Sequence, residues 1–207
     1  MKLVSKILTA AAATFVLSSA ASAQTINFIG FTNGCFGVAC APETDNVTRV
    51  DLISGVTYRN STFNVTTSAG FVSVGNSPSV PNLDNLGSLT VSGTPESYNN
   101  PFNLRVSFTA PTLANQVFAA NLLGSVTADD VGGVVLLFTN PATTFNYDGG
   151  SFTLNVNNLA VTAGRTASVT GFITAREIST VPEPSTYALM AAGLAGLGLV
   201  SRRRRSV

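Results

Sequence analysis

The chain has 207 residues, with 11 basic and 10 acidic side chains, 45% hydrophobic residues, two cysteines, and neither histidine nor tryptophan. Charged residues make up 10%, far below the roughly 25% of an ordinary soluble domain, while Phe, Val, Ile and Leu suffice for a core. Without histidine, His-based catalytic triads, imidazole acid–base chemistry and most transition-metal sites are excluded. The net charge of +1 conceals an uneven distribution, because six of the basic residues lie at the two ends and residues 24–181 carry five arginines against nine acids, a balance of −4. A mildly acidic body with scattered arginines offers no stripe to neutralise phosphates, so nucleic acid is not an expected partner.

Residues 1–23 have the organisation of a secretory signal peptide. Lys2 and Lys6 form a positive start, Ile7 to Leu17 is apolar apart from Thr9 and Thr14, and Ala21-Ser22-Ala23 supplies small residues at a cleavage site between Ala23 and Gln24. The alternative is a buried N-terminal helix.

The body, residues 24–181, shows no useful helical period. Short runs that alternate between apolar and polar residues recur between Gly, Asn, Asp and Pro punctuation, as strands with one buried face require. Strands are expected at Thr25–Phe31, Phe63–Thr66, Phe71–Val74, Leu89–Ser92, Phe102–Thr109, Gln116–Ala128, Val134–Phe138, Phe152–Asn157 and Ala167–Arg176. Val134–Phe138 is continuously apolar and reads as a central strand. Turns are expected at Gly132-Gly133, Asp148-Gly149-Gly150, Asn157-Asn158 and Ala163-Gly164, with a long loop over Asn76–Asn85. Nine or ten short strands without crossover helices imply an all-β, antiparallel β-sandwich or jelly-roll-like body. No fixed-period repeat marks a solenoid.

Cys35 and Cys40 flank a Gly-containing segment, Asn33-Gly34-Cys35-Phe36-Gly37-Val38-Ala39-Cys40. In an exported chain this spacing points to a disulfide closing a tight loop, with free thiols as the alternative. Zinc is excluded by donor count, and the spacing is wrong for a redox Cys-x-x-Cys. Asp129-Asp130 is the nearest approach to a carboxylate pair, yet adjacent strand residues point to opposite faces. Asp84, Asp129, Asp130 and Asp148, with Asn82 and Asn85, could contribute to a calcium site, but none has EF-hand spacing and turn chemistry explains them. Three Asn-x-Ser/Thr triplets, at Asn46, Asn60 and Asn64, are expected by chance in a chain this rich in Asn and Thr. Serine nucleophiles lack a histidine, and the body has no lysine. No catalytic residue, metal or cofactor is expected. Tyr58, Tyr98 and Tyr147 are the candidates for a sugar-binding groove, should they be exposed on one face.

Beyond the body, Val181-Pro182-Glu183-Pro184-Ser185-Thr186 precedes the uncharged run Tyr187–Val200, then Ser201 and Arg202, Arg203, Arg204 and Arg205. Fourteen residues at ~1.5 Å rise span only about 21 Å against a hydrocarbon core of roughly 30 Å. Ser185, Thr186 and Ser201 extend the helix to the lower limit for spanning, and the bilayer can thin locally. The arginine block holds its side of the helix in the cytoplasm. With an export signal at the other end, this places the body outside the inner membrane and the tail inside. Pro182 and Pro184 keep the preceding backbone extended, as a processing protease requires. The small residues Ala192 and Gly196 fit a helix-packing pattern, read either as a surface for the processing enzyme or as ordinary membrane composition.

These three parts in order, Pro182-Glu183-Pro184, the apolar helix and the arginine cluster, resemble the PEP-CTERM sorting signal of Gram-negative bacteria. The resemblance covers residues 182–207 and leaves the body unassigned. It implies recognition by an exosortase, an inner-membrane protease that cuts near Pro-Glu-Pro and releases or transfers the body, in cells that make extracellular polysaccharide. An ordinary single-span anchor is the alternative. The expected function is a non-enzymatic envelope or matrix protein, transiently anchored in the inner membrane, then at the cell surface or extracellular, with exopolysaccharide as a partner. The alternative is a carbohydrate-binding module on the same scaffold.

Overall fold

A computed structural model describes residues 25–75, 84–129 and 131–177, together with 189–190, 192–194 and 196–197. Fourteen strands are formed among them: β1 (Asn27–Phe36), β2 (Val50–Ile53), β3 (Val56–Arg59), β4 (Thr62–Thr66), β5 (Phe71–Val74), β6 (Ser88–Val91), β7 (Glu96–Ala110), β8 (Ala114–Val126), β9 (Gly132–Phe138), β10 (Ala142–Tyr147), β11 (Gly150–Val156), β12 (Leu159–Thr162), β13 (Thr166–Ser168) and β14 (Gly171–Glu177). They make a six-stranded sheet, β12-β9-β8-β7-β1-β4, and two four-stranded sheets, β10-β11-β14-β5 and β13-β6-β3-β2. Every pairing between them is antiparallel.

The six-stranded sheet is one layer, and the two smaller sheets lie side by side as the other. Ring contacts define the packing. Phe28 of β1 and Phe108 of β7 each lie 4.8 Å from Phe152 of β11, while Phe102 of β7 lies 5.1 Å from Tyr58 of β3. The two small sheets join where the chain leaves β13 and enters β14 through Val169 and Thr170, with Leu86 N donating to Val169 O and Val169 N to Gly87 O. The expected single strand Ala167–Arg176 is thereby divided. The result is the expected sandwich, but β7, β8 and β9 form a sequential meander within one sheet, without the regular alternation between sheets of a jelly roll.

Where the expected strands are found, alternation is the reason. Leu104, Val106 and Phe108 point into the core and are at most 2% exposed, whereas Arg105 and Thr109 face out. Two expectations are corrected. β9 is next to the edge rather than central, and Val135 and Leu137 lie on the solvent side, 37% and 39% exposed. A continuous apolar run does not establish burial on both faces. Gly132-Gly133 begins β9 instead of turning; a Cβ on Gly133 would strike the Val161 carbonyl of β12, so the residue permits close strand approach. Pro101 lies within β7 because its carbonyl, which accepts from Gly37 N at 2.9 Å, and its hydrogen-less nitrogen face the side where the β1 ladder has ended.

β2 and β3 are not among the expected strands; in β2 the apolar Val50 and Leu52 are 60% and 65% exposed and so mark no buried face. Their hairpin turns on Ser54 (φ 35°) and Gly55 (φ 81°), the two left-handed positions of a tight hairpin connection. Of the Asn76–Asn85 loop, residues 76–83 lie outside the described residues; Asn85 is buried, its Oδ1 accepting from Gly87 N at 2.9 Å.

Tyr58 shows how tightly the layers meet. It is 1% exposed, donates to Leu86 O at 2.9 Å, and its hydroxyl is 3.1 Å from Thr32 Oγ1. Gly34 and Gly87 (φ 106°) approach its ring so closely that a Cβ on either would collide with it. Burial pushes the phenol well above the ordinary tyrosine value. The unfolded chain therefore ionises this group first as pH rises past about 10, and stability falls above that pH by up to about 1.4 kcal/mol per unit from this residue. Urea unfolding between about pH 9 and about pH 11 should show this loss, and Tyr58→Phe should flatten it. An unchanged slope in that variant would contradict the assignment.

Candidate functional site

The expected site residues fall into three groups: the cysteine loop, the surface polar groups of the body, and the tail. Cys35, at the end of β1, and Cys40 form a disulfide with a Cα–Cα separation of 5.9 Å. The segment that follows, residues 41–49, has no strand of its own and lies across the outer face of β1 and β7. Side chains from the strands beneath, and Asn60 just after β3, bind carbonyls of this segment and of Cys40. Asn33 donates through Nδ2 to Glu43 O (3.1 Å) and Asp45 O (2.7 Å), and Asn60 Nδ2 to Val47 O (2.7 Å). Asn103 Nδ2 reaches Cys40 O and Arg105 Nε reaches Pro42 O, each at 3.0 Å.

Asn33 and Asn60 are themselves joined, Asn60 Nδ2 donating to Asn33 Oδ1 at 2.9 Å, and Asn60 Oδ1 accepts from Arg49 N at 2.8 Å. Both side chains are buried, 3% and 7% exposed. An amide carries two donors and an acceptor on one rigid plane, so it replaces the ladder that the loop lacks. Asn60 is thereby engaged within the fold and is no accessible acceptor for modification. Sequence reasoning missed this clamp because its members lie tens of residues apart, with no local pattern.

The disulfide closes a very short loop, so its stabilisation should be about 2 kcal/mol. Replacing both Cys35 and Cys40 with serine should lower the urea midpoint accordingly while leaving the fold in place, because the amide clamp persists. An unchanged midpoint, or a chain that no longer folds, would contradict this division of labour.

The acids are not gathered. Among the described residues no three His, Cys, Asp or Glu side chains come together as a metal site would need. Asp129 is exposed in the β8–β9 turn, Asp148 lies in the β10–β11 turn, and Asp130 and Asn82 are outside the described residues. Asp84 acts locally, its Oδ1 accepting from Asn64 N at 2.8 Å and covering the open edge of β4. Asp51 Oδ2 likewise accepts from Phe36 N at 2.6 Å. Asp45 pairs with Arg49 at 2.8 Å in solvent, and that hydrogen bond holds its carboxyl below the ordinary aspartate value.

The tyrosines named for the alternative, sugar-binding reading do not form an exposed face. Tyr58 is in the core, and Tyr98, 4% exposed, donates to Ser54 O at 2.7 Å, with burial pushing its phenol upward. Tyr147 is half-buried against Phe152. Alternation accounts for this: each of the three occupies an inward position of its strand, and the Tyr58 and Tyr98 hydroxyls find backbone acceptors.

In the tail, residues 189–190, 192–194 and 196–197 are helical, and Leu189, Met190, Leu194 and Leu197 are 57–69% exposed. Among the described residues no helix is long and apolar enough to cross a membrane. The expected signal peptide at 1–23 with its Ala23–Gln24 cleavage point, Pro182, Glu183 and Pro184, and Arg202 to Arg205 all lie outside the described residues.

Residues 180–205 match the family described as the PEP-CTERM protein-sorting motif. The body has no assigned family, and neither a curated protein nor a solved structure matches the chain.

Proposed function

We propose that this chain, whose residues 180–205 carry a PEP-CTERM sorting motif, is a non-enzymatic protein of the cell envelope or extracellular matrix. The motif is the observation that carries the reading, since it implies export and handling by an exosortase. The helix supplies a transient hold in the inner membrane, Arg202 to Arg205 keep its far side in the cytoplasm, and the enzyme acts near Pro182-Glu183-Pro184. The body then remains at the surface or is released.

Two properties of the body support this destination. Its cysteines are paired in a disulfide, a bond that persists in oxidising compartments. Its outward strand positions carry Thr, Ser and Asn in place of Lys and Glu, which keeps β propensity high without charge. The exposed leucines and methionine of the helix are surface that lipid or a partner helix would cover. In a matrix setting the partner expected for the body is exopolysaccharide. Deleting the exosortase in the native host should trap the chain, at unprocessed length, in the inner-membrane fraction. Unaltered release in that strain would refute the reading.

A further inference from the structure

We propose that the outward face of the β10-β11-β14-β5 sheet binds an acidic polysaccharide, one whose sugar units carry carboxylates. The proposal rests on the reading of the body as a matrix protein and names the surface and the glycan class that would serve it.

Along β14, Phe172, Thr174 and Arg176 alternate outward while Ile173 is fully buried. The register sets Thr153 of β11 beside Thr174, Ser151 beside Arg176, and Phe71 of β5 beside Thr174 on the other side. Phe71 is 48% exposed, and its ring lies 5.8 Å from that of Phe172 with 30° between the planes. Ser151, Thr153, Thr174 and Arg176 line a shallow depression of about 370 Å³ next to this pair. From Phe172 to Arg176 the strand runs roughly 13 Å, a length suited to a run of sugar rings and not to one small molecule.

Threonine rows alone say little, because Thr57, Thr90 and Thr166 cross the β13-β6-β3-β2 sheet in the same way. Arg59 on that sheet is exposed and has no salt bridge among the described residues either, so it is the combination of two features that separates the present face. The first is an aromatic pair, Phe71 exposed and Phe172 half-buried, on a sheet whose inner face already supplies the core; such rings gain by covering the C–H face of a sugar. The second is the Arg176 guanidinium. Among the described residues the salt bridge found is Arg49–Asp45, so Arg176 faces this depression without a carboxylate of its own. A planar fork of donors matches a carboxylate in two hydrogen bonds, and Ser151, Thr153 and Thr174 can both donate to and accept from sugar hydroxyls. Because the body as a whole is negative, an acidic chain is held here by local complementarity, and binding should weaken with salt.

The test uses the full chain purified in mild detergent, with retardation in gels containing polygalacturonate or, as the neutral control, dextran. Wild type should be retarded by polygalacturonate, less so as salt rises, and not by dextran. Arg176→Ala and Phe71→Ala should each weaken polygalacturonate binding at least tenfold with unchanged thermal unfolding, while Arg59→Ala, on the other small sheet, should bind as wild type. No retardation, equal retardation by dextran, or losses shared by Arg59→Ala would overturn the proposal. So would Arg176→Ala and Phe71→Ala variants that bind normally. C-terminal processing in the host is read separately, so failure here is distinguishable from failure of the sorting assignment.

Discussion

Phe152→Ala is expected to lower the free energy of unfolding by about 3–5 kcal/mol, a large part of what a domain of this kind possesses. Phe152 is 1% exposed and is the ring on which the two layers meet: Phe28 and Phe108 approach it at 4.8 Å from the six-stranded sheet, and Phe145 stacks on it at 4.9 Å within its own. Removing it leaves a cavity between two layers, which cannot close by moving one side chain. The control is Phe172→Ala, on the opposite face of the neighbouring strand, where the ring touches Phe71 and solvent. That change should cost about 1 kcal/mol or less. Urea unfolding of the two variants reads both values, and equal losses would contradict the inward–outward assignment of the β11–β14 pair.

Replacing Pro182, Glu183 and Pro184 together with alanine should abolish processing in the native host. Alanine restores helix propensity and the missing N–H groups, so the apolar helix can extend back through the segment and remove the extended stretch a protease needs. The side chains that define the motif go as well. At least tenfold more of the chain should remain at unprocessed length in the membrane fraction, while the folded body keeps its urea midpoint. Processing at the wild-type rate would show that recognition does not reside in this tripeptide. The unchanged midpoint separates a sorting defect from a folding defect, because the core found among the described residues lies within 26–175.

The sequence makes some of this legible and hides the rest for physical reasons. Strands with strict alternation, such as Phe102–Thr109 and Phe152–Asn157, are recovered because one face must be buried. β2 is hidden because its apolar Val50 and Leu52 face solvent, although the Ser54-Gly55 turn between β2 and β3 is a usable signal. Val134–Phe138 misleads because Val135 and Leu137 are apolar yet outward. The disulfide follows from spacing and compartment. By contrast, Asn33, Asn60, Asn103 and Arg105 look like ordinary polar positions until the fold brings them under one loop. The tyrosines fail as surface candidates because residue type says little about which side of a strand it occupies. The Phe71–Phe172 pair with Arg176 joins two strands separated by about half the chain, and only the β5–β14 register reveals it. The sorting motif behaves differently: it is read as a linear signal, so residues 180–205 are recognisable without any fold.

The intact mass of the mature protein, isolated from its native host without reduction, tests the central claim most directly. The expected chain begins at Gln24, contains the Cys35–Cys40 bond and ends near Pro182-Glu183-Pro184, with or without an added group at the new terminus. A mature chain that still carries the apolar helix and Arg202 to Arg205 would contradict it.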